Sequence, residues 1–92
     1  MEINELYDIF RKCGKVATDS RKVAGGELFF ALKGENFDGN LYAAKALEAG
    51  AAYAVVDADS QAVEFVGDYI DSSGRSRIIP VPSTLETLQA LA

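Results

Sequence analysis

GGELFFALKGENFDGNLYAAKALEAGAAYAVV, residues 25–56, decides the fold. Glu27 to Leu32 is almost continuously apolar, which predicts a strand buried on both faces. Lys33 to Asn40 is rich in turn formers and reads as a loop. Leu41 to Ala49 then reads as a helix, with Leu41, Ala44 and Leu47, or else Ala43, Ala46 and Leu47, along one face. Gly50 stops it. Ala51 to Val56 is a second buried strand, closed by Asp57-Ala58-Asp59-Ser60. Helix, glycine and short apolar strand form the second half of a βαβ unit, so the class is α/β. The alanine face implies close packing of helix on sheet. Ala46→Leu is expected to overpack it, at a cost of about 1–3 kcal/mol.

Working outward toward the N-terminus, Gly25-Gly26 suits a tight turn after the polar connection Ser20 to Gly26. Val16 to Asp19 reads as a short strand. Ile3, Leu6, Tyr7, Phe10 and Cys13 recur at helical spacing, with Asn4 as N-cap and Gly14 as stop. Toward the C-terminus, Gln61 to Ser76 reads as a short helix or an irregular hairpin, with Asp71 to Ser76 a flexible loop. Arg77 to Val81 is a last strand, placed at an edge or kept short by Pro80, which lacks a backbone donor. Ser83-Thr84-Leu85-Glu86 is a capping box, so a helix begins at Thr84, with Leu85, Leu88 and Leu91 or Ala92 on one side. That helix runs about two turns to Ala92 without a C-cap, and more protein is expected to follow it.

At 92 residues the chain is one domain, 49% hydrophobic and 25% charged. Its net charge of −5, with no basic cluster larger than a pair, argues against a nucleic-acid partner. A small anion needs only local donors, which Arg21, Lys22 and Lys33 supply. No apolar run is long enough to span a bilayer, and Met1-Glu2-Ile3-Asn4-Glu5 does not open a secretory signal. A cytoplasmic monomer is the expectation, and the lone Cys13 fits a reducing compartment. With no histidine and one cysteine, His-based catalysis and thiolate or imidazole metal sites are excluded. The acidic residues Asp57, Asp59, Glu64, Asp68 and Asp71 are irregularly spaced and read as solvated surface. No Gly-x-x-x-x-Gly-Lys-Ser/Thr loop occurs, so no nucleotide triphosphate site is expected in this stretch.

Two polar clusters remain, Thr18-Asp19-Ser20-Arg21 at a strand end and Gly34-Glu35-Asn36-Phe37-Asp38-Gly39 between strand and helix. Strand ends of α/β sheets are where ligands usually bind. Ser20 and Asn36 offer donors and acceptors to a base edge or ribose, Phe37 can stack, and Arg21 can meet a phosphate. The plain alternative is a capped turn and a tight loop whose Phe37 plugs the core. Chemistry alone favours the plain alternative, since polar loops are common.

Thr18-Asp19-Ser20-Arg21, then Gly26-Glu27-Leu28-Phe29-Phe30-Ala31-Leu32-Lys33-Gly34, then Phe37-Asp38-Gly39, resembles the N-terminal domain of the Mur ligases. Ala43 to Ala51 and Ala54-Val55-Val56 continue the resemblance, in order, over about residues 16 to 57. Within the family the stretch 31–39 looks most like the ligases that add D-alanyl-D-alanine to UDP-N-acetylmuramoyl-tripeptide in peptidoglycan synthesis. The ligases that add diaminopimelate or lysine have a similar first domain.

The resemblance implies a small mixed sheet packed with helices. It implies a uridine-nucleotide-binding domain over 1–82 and, over 83–92, the start of a helix leading to an ATP-binding central domain. By motif position, Thr18, Ser20, Glu35, Asn36 and Phe37 correspond to uridine contacts, while Asp19 and Arg21 hold the turn or meet a phosphate. The expected partners are a UDP-N-acetylmuramoyl-peptide and the central and C-terminal domains of the same chain. ATP and Mg²⁺ belong to the full-length ligase, with no catalytic residue, metal or cofactor expected here. Two other readings stay open: a free-standing nucleotide-sugar-binding module and a purely structural α/β domain.

Overall fold

The computed structural model describes residues 3–33, 38–65 and 67–91. Helix α1 (Ile3–Cys13) leads through Gly14 into strand β1 (Val16–Ala17). A 3-10 turn (Ser20–Lys22) precedes β2 (Leu28–Phe30). A second 3-10 turn (Gly39–Tyr42) runs directly into α2 (Ala43–Glu48), followed by β3 (Tyr53–Asp57). A third (Gln61–Phe65) and a hairpin turn precede β4 (Ile78–Val81) and α3 (Thr84–Leu91).

The four strands form one sheet in the order β1-β2-β3-β4, parallel at every pairing. The expected mixed sheet is thus parallel in its named strands. Antiparallel pairing among the described residues is confined to single bridges, Lys33 with Asp38 and Ile70 with Ser76. Leu28 lies beside Tyr53, Phe29 beside Ala54 and Phe30 beside Val55. Because side chains alternate along a strand, this register sorts the apolar residues into two cores. Phe29, Ala31, Ala54, Val56 and Ile78 pack with Ala43, Ala46 and Leu47 of α2 and with Ala62. Leu28, Phe30, Val55, Ile79 and Val81 pack with Leu6 and Ile9 of α1 and Leu91 of α3. Val23, α2, Ala62 and Tyr69, all from strand connections, lie on the first side. Every crossover therefore passes over the same face, as a chain winding with one handedness must do. The terminal helices cover the other face. Phe29 and Phe30 are wholly buried, and each such side chain contributes about 1.5–3 kcal/mol by leaving water.

Several expectations are corrected. Helix α1 begins at Ile3, so Asn4 lies in its first turn and is not the cap. Its inward face carries Ile9, while Tyr7 is exposed, ringed by Phe10 and Arg11. Leu41 is 65% exposed, because the chain is still in the 3-10 turn there and the helical phase starts two residues later. The buried face of α2 is Ala43, Ala46 and Leu47, the second of the two expected faces. In α3 the inward residues are Thr84, Leu88 and Leu91, and Leu85 is 54% exposed. Only half the capping box forms: the Glu86 amide donates to Ser83 Oγ at 3.2 Å, while Glu86 itself stays exposed.

The stretch 61–76 combines both expected forms, a 3-10 turn and then a bridged hairpin. Its tip is pinned by Asp71, whose Oδ1 accepts from the Ser73 amide and hydroxyl and the Arg75 amide, and whose Oδ2 accepts from Tyr53 Oη at 2.5 Å. These bonds replace the expected flexible loop. Asp71 is thus a structural acid, held well below the usual carboxylate range first by the Tyr53 and Ser73 hydroxyls. Arg77 is a second unforeseen tie. Its guanidinium donates to the carbonyls of Leu47, Ala51 and Ala52 and so closes the end of α2 onto the sheet. Pro80 is exposed on β4, an edge strand, where its missing donor costs no ladder bond.

Candidate functional site

The strands point their carboxyl ends at one rim of the sheet, which carries the residues after Ala17, Phe30, Asp57 and Val81. Beyond β1, Thr18 is exposed and Asp19 caps the 3-10 turn. Asp19 Oδ1 accepts from the Arg21 amide at 2.9 Å, and its carboxylate receives Arg21 Nε at 3.1 Å and Nη2 at 3.0 Å. The Arg21 side-chain and backbone donors hold the Asp19 carboxyl down at about 2. Arg21 is 87% exposed, so the pair adds little stability. It fixes the shape of the turn that presents Ser20. Between the two expected roles of Asp19 and Arg21, these bonds fit the turn-holding one.

Ser20 lines a hollow of about 250 Å³ together with Asp19, Arg21 and Tyr42. A second hollow, about 480 Å³, is lined by Lys15, Thr18, Lys22, Glu27 and again Asp19. Its floor is rigid, since the Glu27 carboxylate accepts from the Ala24 and Gly25 amides at 2.6 and 2.7 Å. Those amides hold the Glu27 carboxyl below its usual range.

Tyr42 reaches the first hollow because of how β2 ends. Asp38 caps the Gly39–Tyr42 turn by accepting from the Asn40 amide at 3.0 Å. Gly39 sits against the strand end, its amide donating to Leu32 O at 2.8 Å. A Cβ at that position would lie 2.8 Å from Leu32 O and 2.9 Å from Leu32 N. The close approach swings the turn across the rim and leaves Tyr42 beside Ser20. Lys45 stands over the Tyr42 ring at 5.8 Å, a cation on its π face.

A buried amide locks this turn to the rest of the rim. The Asn40 side chain donates to Asp38 Oδ1 and Asp57 Oδ2 at 2.8 and 2.9 Å and accepts from the Asp57 amide at 2.9 Å. Asp57 Oδ1 also accepts from the Thr84 amide at 2.9 Å, and Thr84 Oγ1 donates to Ala31 O at 2.9 Å. Asp57 is therefore a structural junction between β3, the Gly39 turn and α3, not the solvated acid expected from its spacing. Around this junction Lys33, Asp38, Asn40, Asp57, Asp59 and Ser60 line a third, polar hollow of about 280 Å³.

The structure thus brings Thr18, Asp19, Ser20 and Arg21 together at one rim position and adds Tyr42, which the sequence reading absorbed into a helix. The available signal was its place three residues after the Asp38-Gly39 turn former. Glu35, Asn36 and Phe37 lie outside the described residues, as do Gly34, Val66 and Ala92. Cys13 is half-buried and burial pushes its thiol up, which suits packing and not nucleophilic chemistry. Among the described residues no three His, Cys, Asp or Glu side chains gather to hold a metal ion, and no helix is long and apolar enough to cross a membrane.

The fold and site define an α/β domain with hollows beside Ser20 and around Asp57 at the carboxyl rim of a parallel sheet. The family described as "Mur ligase family, catalytic domain" matches residues 13–92, and the chain belongs to the Mur ligase family. It is 36% identical over 83 residues to the UDP-N-acetylmuramoyl-L-alanyl-D-glutamate--2,6-diaminopimelate ligase of Haemophilus ducreyi, covering 85% of this chain and 17% of that protein. It is 38% identical over 77 residues to the UDP-N-acetylmuramoyl-tripeptide--D-alanyl-D-alanine ligase of Bacillus subtilis, covering 84% of this chain and 15% of that protein. The crystal structure of the MurF ligase from Thermotoga maritima in complex with ADP superposes with a TM-score of 0.65 at 27% identity, over 91% of this chain and 16% of that one. The chain thus spans roughly a sixth of the length of these relatives.

Proposed function

We propose that this chain is the uridine-nucleotide-binding N-terminal domain, over residues 1–82, of a cytoplasmic peptidoglycan-precursor ligase. Residues 83–92 then begin the helix toward an ATP-binding central domain. The observation that carries the reading is the hollow at the β1 carboxyl end, where Ser20 is presented by the Asp19–Arg21 clamp in a chain of the Mur ligase family. Thr18 and Ser20 contact the uridine, and Glu35, Asn36 and Phe37 are assigned to it by motif position. The full-length ligase would transfer the terminal phosphoryl group of ATP to a substrate carboxylate, releasing ADP, and an incoming amine would displace inorganic phosphate from the acyl phosphate to form the amide. ATP and Mg²⁺ are assigned to the central domain of that ligase, since no phosphate-cradling Gly-Lys-Ser/Thr occurs in this sequence.

Its contribution is binding energy from the non-reacting end of the substrate, which orients the distant reacting end. The added group is D-alanyl-D-alanine, on the resemblance of residues 31–39. The similar match to a diaminopimelate-adding relative supports the second reading, in which the same domain serves that ligase.

An amide NMR titration of the chain with UDP-N-acetylmuramoyl-tripeptide, UDP and ATP tests the assignment. Saturable shifts at Thr18 and Ser20 with both uridine ligands, and none with ATP, are expected, and Ser20→Ala should weaken both. Equal affinity in Ser20→Ala would remove Ser20 from the site.

A further inference from the structure

Thr84 opens α3 at only 2% exposure, and both of its donors are used. Its amide donates to Asp57 Oδ1 and its hydroxyl to the carbonyl of Ala31, each at 2.9 Å. The two acceptors lie at the carboxyl ends of different strands: Asp57 closes β3, and Ala31 follows β2. Asp57 is itself held, since its Oδ2 accepts from the Asn40 side chain and its amide donates to Asn40 Oδ1. Asn40 belongs to the Gly39–Tyr42 turn, which reaches the wall of the Ser20 hollow. One residue of α3 is thus fastened to two strand ends and, through Asp57, to the rim turn.

Burial alone does not call for this arrangement. Leu88 and Leu91 hold the rest of α3 against the sheet, and apolar contact is non-directional. It decides which face of the helix turns inward but leaves the helix free to tilt about that contact. The Ser83 cap stays within α3, accepting from the Glu86 amide, and so adds no tie to the sheet. Valine at position 84 would fill much the same space, and a buried hydroxyl is costly unless it is bonded. What the Thr84 hydroxyl and amide add is direction. Hydrogen bonds weaken steeply when bent, so bonds to two separate strands, with the Leu91 contact near the other end, fix the helix axis.

We propose that Thr84 is a positioning residue, which sets the direction in which α3 leaves the substrate-gripping rim. The proposal rests on the reading above, in which the rim binds the uridine end and α3 leads toward the ATP-binding central domain. In that arrangement the nucleotide is gripped in one domain and reacts in another, so a small tilt of α3 displaces the reacting end. A misplacement of about 1 Å can cost roughly a hundredfold in rate. Buried as it is, Thr84 acts through the direction of α3 and not by touching substrate. Removing its hydroxyl should therefore leave the grip intact and impair turnover.

Two measurements test this. In this chain, backbone residual dipolar couplings of residues 84–91 and of the four strands should fit a single alignment tensor. Couplings of α3 that need a tensor of their own would overturn the fixed direction. They are read in the wild type and so do not depend on whether any variant folds. In the full-length ligase, Thr84→Val should lower kcat about ten- to a hundredfold. The KM for the UDP-N-acetylmuramoyl-dipeptide or -tripeptide that the wild type uses should stay within about twofold. Thr84→Ser, which keeps the hydroxyl, should restore kcat. Thr84→Val with wild-type kcat, a raised KM with kcat unchanged, or an equal loss in Thr84→Ser would each overturn the positioning role and leave the uridine site standing. A wild-type ligase that saturates with neither nucleotide would overturn the uridine reading and the proposal with it.

Discussion

Gly39→Ala places a methyl group where the rim has no room. The new Cβ would lie 2.8 Å from Leu32 O, 2.9 Å from Leu32 N and 3.1 Å from Ala31 C. All three are backbone atoms, so no side chain can rotate aside. Carbon contacts settle near 3.5–4.0 Å, and the turn must therefore retreat by roughly half an ångström or more. Overpacking of this kind costs about 1–3 kcal/mol. The retreat also stretches the bond from the Gly39 amide to Leu32 O, worth about 0.5–1.5 kcal/mol net.

One effect opposes these. Gly39 is not among the positive-φ glycines, so alanine is conformationally permitted there. Its lower unfolded-state entropy returns about 0.4–1 kcal/mol. The balance is a destabilisation of about 1–3 kcal/mol, or a melting temperature lower by roughly 5–20 °C in a domain of this size. Urea and thermal melts followed by circular dichroism measure it. Gly67→Ala is the matched control, since a Cβ there meets nothing within 4 Å and φ is not positive. It should be neutral or stabilising by up to about 1 kcal/mol. A Gly39→Ala chain as stable as wild type would refute the close-approach account, and with it the reason Tyr42 stands at the rim.

Other outcomes follow from the same structure. Ala46 is wholly buried between α2 and the sheet, so Ala46→Leu should cost about 1–3 kcal/mol in a urea melt. Asn40→Ala leaves the Asp57 amide and part of its carboxylate without partners. It should cost about 1–3 kcal/mol and expose the Thr84 end of α3 to faster hydrogen exchange. Acid should destabilise the chain. Asp19, at about 2, and Asp71 lie below their unfolded values, so their contribution is complete above about pH 5 and declines as pH falls through about 4 toward 2. Stability measured across that window should fall less steeply in an Asp19→Asn, Asp71→Asn double variant than in wild type.

Element identity was legible from local patterns. The runs Glu27 to Leu32 and Ala51 to Val56 are too apolar to face water on either side, so two central strands followed from composition and length alone. Gly14, Gly26 and Gly50 adopt the positive φ that a stop or turn needs, and glycine advertises that in any sequence. Pro80 marked an edge for the same local reason. The cluster from Thr18 to Arg21 was legible as a polar turn at a strand end, and the family resemblance is confirmed by the match over residues 13–92.

What the sequence could not decide depends on contacts between distant residues. Leu41 and Leu85 looked like core on their own helices. Whether a helical position faces inward depends on the phase in which the helix meets the sheet, and the 3-10 entry into α2 shifted it. Asp57 and Asp71 were indistinguishable from surface acids until folding brought Asn40, Thr84 and Tyr53 to them, each at least 17 positions away in the chain. Tyr42 became part of a hollow only because Gly39 lets one backbone lie directly against another. Residue type and spacing determined the strands, the stops and the family. The partners of each polar group were decided by the tertiary structure, since hydrogen-bond pairing depends on positions in space that no local pattern encodes.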